Sequence, residues 1–306
     1  MTSRLTIKHG DSFAVFDAAG DIVPAGAGGL GAYHRGTRRL SQWQWLFGRE
    51  APTVLAAGID ESAPVLGTHL AGAEGGLHGL HRAFLWRGAL YGALRLECFD
   101  PAATAPDLTV RFAADFADVF EVRGFERKRR GHAWSEIDPE TVMLGYTGLD
   151  GVDRLTRLVF SQAPDDVADG RARFVLRPQP GRPADLFYVV TFDGAAATPS
   201  AASFAAALER LRARSAARPV RVDSGDRDFD RWVARSAADL RLLETDTPHG
   251  PYPYAGIPWF STLFGRDGIL AALSCLWFDP ADGSGATPRS AARSNAAPGS
   301  RTTLYI

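Results

Sequence analysis

Cysteine is scarce in this 306-residue sequence, which contains only Cys98 and Cys275. Both residues lie within apolar runs and are far apart in the chain, so we expect two buried, reduced thiols. This arrangement argues against a disulfide framework and against a cysteine-based metal site. Because reduced thiols are typical of a reducing compartment, we expect a cytoplasmic protein.

Long apolar runs and a net charge are also lacking. No stretch approaches the roughly 20 apolar residues of a membrane-spanning helix, and the first residues, MTSRLTIKHGDSF, lack the apolar core of a secretion signal. Lys and Arg number 34 and Asp and Glu 35, so the net charge of −1 offers no field that would attract nucleic acid or an anionic membrane. We therefore expect a neutral binding partner.

A long region of the sequence has the pattern of β-strands. Apolar residues make up 45% of the chain, which is enough for a sizeable core. From Leu5 to about Phe192, short alternating segments are separated by Gly, Asp and Pro turns. The strongest strand candidates are residues 40–47, 89–99, 108–116, 154–160, 172–176 and 186–192. This pattern predicts a mainly β fold, with a large antiparallel β-sandwich over residues 1–200.

The pattern changes from strand to helix near residue 202. Apolar residues recur at helical spacing from Phe204 to Leu211 and Pro219 ends the run, which predicts a linker helix within 201–222. A second, amphipathic helix is expected to begin with Asp226 or Asp228 as its N-cap. Its predicted apolar face comprises Phe229, Trp232, Val233, Ser236, Leu240 and Leu243.

A third helix is predicted from about Arg266 to Phe278, after a rigid, proline-containing loop over 247–254. Because it is apolar almost all round, we expect its packing partners to lie outside this chain. The second and third helices define a predicted helical domain over 223–280. Residues 281–303 contain no apolar side chain larger than those of Ala and Pro, so we predict a disordered tail over 281–306. The abrupt change of composition suggests a shifted reading frame or a truncated gene.

Two stretches resemble the bacterial amylo-α-1,6-glucosidase or glycogen-debranching-enzyme family. The first comprises DSFAVFDAAGDI, GLGAYHRGTRRLSQWQW and FAADFADVFEVRG, all within the predicted sandwich. The second, AGIPWFSTLFGRDGI at Ala255 to Ile269, is similar to the family's entry into its catalytic domain and is the more specific of the two. One departure is Gly36, where the family usually has an acidic residue.

The resemblance implies a β-sandwich followed by the first helices of an incomplete, glucoamylase-like (α/α)6 barrel. It implies a glycoside hydrolase that acts on an α-glucan or oligosaccharide, in which Arg266 and Asp267 hold hydroxyls of the non-reducing sugar. The acid and base carboxylates would lie beyond this chain, so we expect no catalytic residue, no cofactor, no metal and an inactive fragment. Two alternatives stay open: a glucan-binding or assembly module without catalysis, and a structural sandwich that docks on another subunit.

The proposed sugar ligands also make sense from their chemistry. An Arg fork and a carboxylate, as in Arg266 and Asp267, can together donate to and accept from neighbouring hydroxyls. Trp259 offers a flat apolar face for a sugar ring, and Tyr254 is a weaker candidate for the same pocket. The alternatives are a helix N-cap with a solvated Arg for the pair, and an exposed loop tyrosine for Tyr254.

The other charged candidates have structural explanations. Asp115, Asp118 and Glu121 alternate along a predicted strand beside Arg111 and Arg123, which favours salt bridges on a sheet face over catalysis. The basic run at 123–130 is short, contains an acid and lies in a chain with no net positive charge, so we expect a solvated hairpin and no nucleic-acid site.

Histidine and glycine patterns give no site either. His78 and His81 stand three apart, but Gly79 and the lack of a nearby carboxylate argue against zinc. The glycine-rich segment at 26–31 precedes a predicted strand, whereas a dinucleotide fingerprint requires a helix. For Phe260 and Phe264 we expect core packing.

Overall fold

The computed structural model describes residues 4–24, 28–60, 62–72, 76–100, 107–168, 170–194, 197–216 and 223–275. The chain divides into two units, Met1–Arg218 and Pro219–Ile306. The tail predicted to be disordered, at 281–306, lies outside the described residues. Within the described part of the chain, no helix is long and apolar enough to cross a membrane.

The first unit is built mainly from β-strands, in agreement with the alternating sequence pattern. Its described strands are β1 (Leu5–His9), β2 (Ser12–Phe16), β3 (Gly31–His34), β4 (Thr37–Leu40), β5 (Gln42–Phe47), β6 (Thr53–Ile59), β7 (Val65–Ala71), β8 (Leu77–Trp86), β9 (Ala89–Cys98), β10 (Leu108–Ala113), β11 (His132–Ile137), β12 (Thr141–Thr147), β13 (Asp153–Phe160), β14 (Asp166–Ala168), β15 (Arg171–Phe174) and β16 (Ala184–Phe192). Two helices accompany them, α1 (Val119–Val122) and α2 (Ala201–Ala216).

These strands form three antiparallel sheets. An eight-stranded sheet has the order β11-β12-β13-β16-β9-β8-β7-β6, and two four-stranded sheets have the orders β1-β2-β3-β4 and β14-β15-β10-β5. The predicted mainly β, antiparallel sandwich is therefore confirmed. Alternation explains it, because every second side chain of a strand points to the same face and can be buried there.

The core lies where β5 of one four-stranded sheet packs on the inner face of the eight-stranded sheet. Trp43 and Trp45 are fully buried, and the ring of Trp43 lies 4.5 Å from that of Tyr188 on β16. Tyr188 packs over Gly92, its partner on β9, where an added Cβ would lie 1.9 Å from the Tyr188 ring. His81 completes this cluster, with Nε2 2.8 Å from the Tyr188 hydroxyl.

The hairpin between β3 and β4 turns at Arg35 and Gly36, whose φ angles are +49° and +75°. Glycine adopts this left-handed backbone without steric cost. A Cβ at Gly36 would meet no atom within 4 Å, but the left-handed φ angle would strain any residue other than glycine there. The departure at Gly36 is therefore a local change in a turn.

Helix α2 packs on the sandwich. Phe204, Ala207, Leu208 and Leu211 are buried in one cluster with residues of the sheet, including Phe84. This is the segment predicted to be a linker helix, and the division of the chain at residue 218 places it with the first unit. The domain limits at 200, 222 and 280 stay a prediction.

The second unit contains α3 (Arg227–Leu243), the hairpin β17 (Glu244–Thr247) and β18 (Gly250–Pro253), and α4 (Gly265–Cys275). Asp226 caps α3, as predicted, by accepting hydrogen bonds from the N–H groups of Asp228 and Phe229. The helix buries Val233, whereas Phe229 and Trp232 of the predicted apolar face are exposed.

The loop predicted over 247–254 contains most of the β17–β18 hairpin, in which Thr245 lies opposite Tyr252. The third predicted helix is present as α4, and its predicted last residues, 276–278, lie outside the described part. Leu270 and Leu273 of α4 are 57% and 60% exposed. The apolar surface of α4 is thus only partly covered by the described residues.

Cys98 is buried and free, as predicted, and its thiol lies 3.1 Å from the carbonyl oxygen of Asp100. The Cys275 side chain is not among those that the structure describes.

Candidate functional site

Arg266 and Asp267 lie in the first turn of α4. The Arg266 Nη2 atom is 3.6 Å from the Asp267 Oδ2 atom, and the two side chains are 84% and 38% exposed. Adjacent residues on a helix do not face each other, so this contact is loose and leaves both groups able to bind a ligand. The high exposure of Arg266 is also consistent with the alternative that its side chain is simply solvated. The Asp267 carboxylate is stabilised at this position by the positive end of the helix dipole.

Tyr252 on β18 is buried beneath this turn. Its hydroxyl donates a hydrogen bond of 2.8 Å to the carbonyl oxygen of Phe264, the residue before α4. Burial, and then the nearby carboxylate of Asp267, raise the pKa of Tyr252. Tyr252 thus fixes the start of α4 and lies close to Asp267.

Gly268 is required by this packing. A Cβ at Gly268 would lie 2.1 Å from the Tyr252 hydroxyl oxygen, so a larger residue cannot follow Asp267 without displacing the tyrosine. Tyr254 packs against the small cluster of Tyr252 and Ala272. Sequence reasoning selected Tyr254 and missed Tyr252, although residues two apart in an extended segment lie on the same side and both tyrosines belong to this cluster.

Trp259 lies at the tip of a tight turn that precedes α4. Gly256 and Phe260 exchange two backbone hydrogen bonds across this turn, of 3.1 and 2.9 Å, and the Ile257–Pro258 peptide bond is cis. Trp259 is half-buried. A stacking role for Trp259 and a pocket role for Tyr254 stay predictions.

The prediction that Phe260 and Phe264 pack in the core is wrong for the described structure. The two side chains are 49% and 39% exposed, and their rings contact each other 5.8 Å apart. The turn and the beginning of α4 leave them near the surface, where only part of each ring is covered.

The acidic cluster of the sandwich is structural, although not on a strand. Strand β10 ends at Ala113, and Asp118 caps the short helix α1 in a capping box with Glu121. Asp115 instead forms an ion pair with Arg38 of β4. The predicted placement of these acids on a strand was therefore wrong, because the chain turns away from the sheet after β10.

The basic run at 123–130 supplies the other partners of that cluster. Arg127 pairs with Asp118, and the Arg130 Nε atom lies 3.2 Å from Glu121. The Arg130 guanidinium also lies 5.7 Å from the centre of the Tyr146 ring. Two arginines of the run thus compensate neighbouring acids, which agrees with a structural role.

His78 and His81 occupy opposite faces of strand β8, because their spacing of three is odd in a period-two strand. Burial lowers the pKa of His81 to about 3, so its ring is neutral in the core. No group of three or more possible metal ligands occurs among the described residues. In the glycine-rich segment, Gly31 begins strand β3, and residues 25–27 lie outside the description.

Asp21 is a titratable group that the sequence did not single out. Burial, and next the neighbouring carboxylate of Asp17, raise the pKa of Asp21 to about 7. Asp17 accepts hydrogen bonds from the N–H groups of Ala19 and Asp21, of 2.8 and 3.0 Å, and so closes the turn after β2. These contacts give Asp21 a structural setting in the sandwich and do not connect it with the residues before α4.

A family model described as the N-terminal domain of some glycogen debranching enzymes matches residues 7–189 of the chain. This range covers nearly all strands of the first unit. No curated protein matches the sequence.

Solved structures resemble the chain at low sequence identity. A bacterial glucoamylase complexed with acarbose aligns over 94% of this chain, with 11% identity and a TM-score of 0.59, which demonstrates a shared fold. The chain spans 49% of that glucoamylase, or about half its length. A human-microbiome protein described as a kojibiose phosphorylase aligns over 79% of this chain and 36% of its own, with 8% identity and a TM-score of 0.40, and supports no further argument.

Proposed function

The chain belongs to the family of N-terminal domains of glycogen debranching enzymes, and we propose that it forms the N-terminal part of a glycoside hydrolase that acts on α-glucan branch points, of the amylo-α-1,6-glucosidase type. The observation that carries this proposal is the family match over residues 7–189. The glucoamylase-like fold supports it, because that likeness extends past the sandwich into the second unit.

In this proposal the start of α4 binds a glucose unit. Arg266 donates hydrogen bonds to vicinal hydroxyls, Asp267 accepts from them, and Trp259 and Tyr254 present ring faces or edges to the sugar. The exposure of Arg266 supports this role, since its guanidinium is accessible to a ligand. Tyr252 and Gly268 have a supporting role, because their contact sets the position of Asp267.

By itself the chain is proposed to bind a glucan without cleaving it. Inverting hydrolysis requires an acid and a base whose carboxyl groups stand about 6.5–9.5 Å apart across the scissile bond. The resemblance places neither of them in this chain, and the acidic cluster at 115–121 is engaged with arginines. In this proposal the protein works in the cytoplasm, a reducing compartment in which Cys98, buried and free, stays a thiol.

The alternative is a glucan-binding or assembly module that has no catalytic role in any context. The extent of the sandwich favours this alternative, because the family match lies entirely within the first unit. The two functions differ in which unit binds the sugar.

Calorimetric titration with maltooligosaccharides tests the proposal. We expect binding by the wild-type chain, a loss of about ten-fold or more in Arg266→Ala and Asp267→Asn, since each removes a charge-assisted hydrogen bond, and no release of glucose from a limit dextrin. A matched control is Arg235→Ala, which breaks an exposed pair with Asp239 on α3. Unchanged affinity in both site variants would favour binding by the sandwich, and glucose release by the wild type would refute the claim of inactivity.

A further inference from the structure

Two histidines and a neighbouring carboxylate meet on the outer face of the eight-stranded sheet. His69, His78 and Glu97 lie on the neighbouring strands β7, β8 and β9. The Nδ1 atom of His69 is 3.1 Å from Nε2 of His78, and Nδ1 of His78 is 3.5 Å from a carboxylate oxygen of Glu97. His69 is exposed, and the side chains of His78 and Glu97 are 23% and 39% exposed.

Strand register brings these residues together. His78 lies directly opposite Glu97 on one side and Ala71 on the other, so His69, two residues before Ala71, lies on the diagonal. Diagonal neighbours on one sheet face are within reach of long side chains. The arrangement rests on three adjacent strands of a continuous sheet, and its backbone is therefore held in place.

The two imidazole nitrogens have the separation of two ligands on one metal ion. Zinc–nitrogen bonds of about 2.0–2.1 Å at a tetrahedral angle put the two nitrogens about 3.3 Å apart. Small rotations of two partly exposed rings would aim both lone pairs at a common point. In the absence of an ion, one nitrogen donates its proton to the other, which explains their contact at 3.1 Å.

Glu97 completes a pattern that is common around metal-bound histidines. A carboxylate beside one ring nitrogen keeps the proton on that nitrogen and leaves the other with a lone pair for the metal. Here Glu97 lies beside Nδ1 of His78, and Nε2 is the atom that faces His69. This arrangement therefore suits His78 and His69 as metal ligands and Glu97 as the residue that positions His78.

We propose that His69 and His78 form a binding site for one divalent ion of the zinc and copper class, with Glu97 as a positioning residue. Imidazole is a preferred ligand of these ions. Water completes the coordination, because no cluster of three or more possible ligands exists among the described residues. This is an open site, weaker than a closed structural zinc site, and its ion would join β7 to β8 and stabilise the folded sheet by linkage.

Titration of the metal-free chain with ZnCl2, followed by calorimetry and by thermal unfolding, tests the site. We expect one ion per chain and a rise in melting temperature with zinc concentration. His69→Ala and His78→Ala each leave a single imidazole ligand and are expected to weaken zinc binding by about ten-fold or more. Loss of a residue that only hydrogen-bonds a ligand already weakens metal binding by about ten-fold, and loss of a ligand should cost at least as much. The matched control is His132→Ala, which removes an exposed histidine on β11 of the same sheet and is expected to change nothing.

Glu97 is tested by spectroscopy as well as affinity. The electron paramagnetic resonance spectrum of bound Cu2+ is expected to show two nitrogen ligands in the wild type and in Glu97→Gln, and one in His69→Ala. Glu97→Gln is expected to weaken zinc binding by about ten-fold, and Glu97→Asp to restore part of the affinity. Equal affinity in wild type and Glu97→Gln would overturn the positioning role.

The site itself would be refuted by either of two results. One is equal zinc affinity in wild type and His69→Ala, with circular dichroism confirming that both are folded. The other is a set of several weak ions that is reduced as much by His132→Ala as by His78→Ala, which would indicate non-specific binding to surface histidines. Both results leave the proposed glucan-binding function untouched, because α4 belongs to the other unit.

Discussion

Arg39 and Asp193 are 154 residues apart in the chain and form a bidentate ion pair. Their nitrogen and oxygen atoms are 2.8 and 2.5 Å apart, and the Arg39 side chain is only 3% exposed. Asp193 also accepts a hydrogen bond of 2.8 Å from the N–H of Leu155. Arg39 belongs to β4, and Asp193 follows β16, so the pair joins a four-stranded sheet to the eight-stranded one.

Loss of the Asp193 charge is expected to destabilise the sandwich strongly. Asp193→Asn keeps the shape, the hydrogen bond to Leu155 and the positive φ of +54°, which asparagine tolerates. It leaves Arg39 buried without its counter-ion, for which we expect a loss of about 3–5 kcal/mol in the free energy of unfolding. Urea denaturation measures this value.

The exposed pair of Asp150 and Arg154, 2.8 Å apart, provides the control for that experiment. Asp150→Asn is expected to cost less than about 1 kcal/mol, because exposed ion pairs contribute little. Equal losses in the two variants would contradict a special role for the buried pair.

Gly92→Ala is expected to disrupt the core, since its Cβ would lie 1.9 Å from the Tyr188 ring. The ring packs against the buried Trp43 and Trp45 and cannot move aside without repacking them. We expect a loss of about 3 kcal/mol or more, or failure to fold. The measurement is thermal unfolding, and the control is Gly58→Ala on β6, where a Cβ meets no atom within 4 Å. Similar melting temperatures for the two variants would show that the ring is mobile.

Asp21 is expected to make the stability of the sandwich depend on pH. Burial and the carboxylate of Asp17 raise its pKa from 3.8 to about 7 in the folded protein. The folded chain thus holds this proton more tightly than the unfolded chain does. The contribution of the protonated Asp21 carboxyl group to folding stability is therefore complete below pH about 4 and is lost as pH rises through about 7.

Asp21→Asn should remove that dependence. We expect the variant to gain stability relative to the wild type between pH 4 and pH 8, by up to about 4 kcal/mol, given about 1.4 kcal/mol per unit of pKa shift. Urea denaturation at pH 4, 6 and 8 measures it, with the exposed Asp138→Asn as control. A constant difference between Asp21→Asn and the wild type over this range would disprove the raised pKa.

Gly268→Ala is expected to loosen the start of α4. The new Cβ would lie 2.1 Å from the Tyr252 hydroxyl and would break its hydrogen bond to Phe264. We expect faster hydrogen exchange in α4 and weaker binding of maltooligosaccharides, because Asp267 loses its support. In Gly256→Ala, where a Cβ meets no atom within 4 Å, exchange in α4 should remain as in the wild type. Unchanged exchange in Gly268→Ala would remove Tyr252 from the site.

Local patterns predicted the kinds of element in this chain and the position of several. Alternation indicated strands such as β9 and β16, and helical spacing indicated α2, whose buried residues include Phe204 and Leu208. The N-cap at Asp226 and the beginning of α4 beside Arg266 followed from the same kind of evidence. The acidic cluster was misplaced on a strand because the capping box of Asp118 and Glu121 ends the alternation within a few residues.

The sequence by itself determined the kinds of element and their order, since strand and helix periodicity are properties of neighbouring residues. Tertiary structure decided which distant groups meet. The pairing of Arg39 with Asp193, the contact of His69 with His78 and the raised pKa of Asp21 arise from strand register and burial. The packing of Tyr252 on Gly268 is another such contact. These contacts depend on how separate segments pack in three dimensions, and no spacing along the chain encodes them.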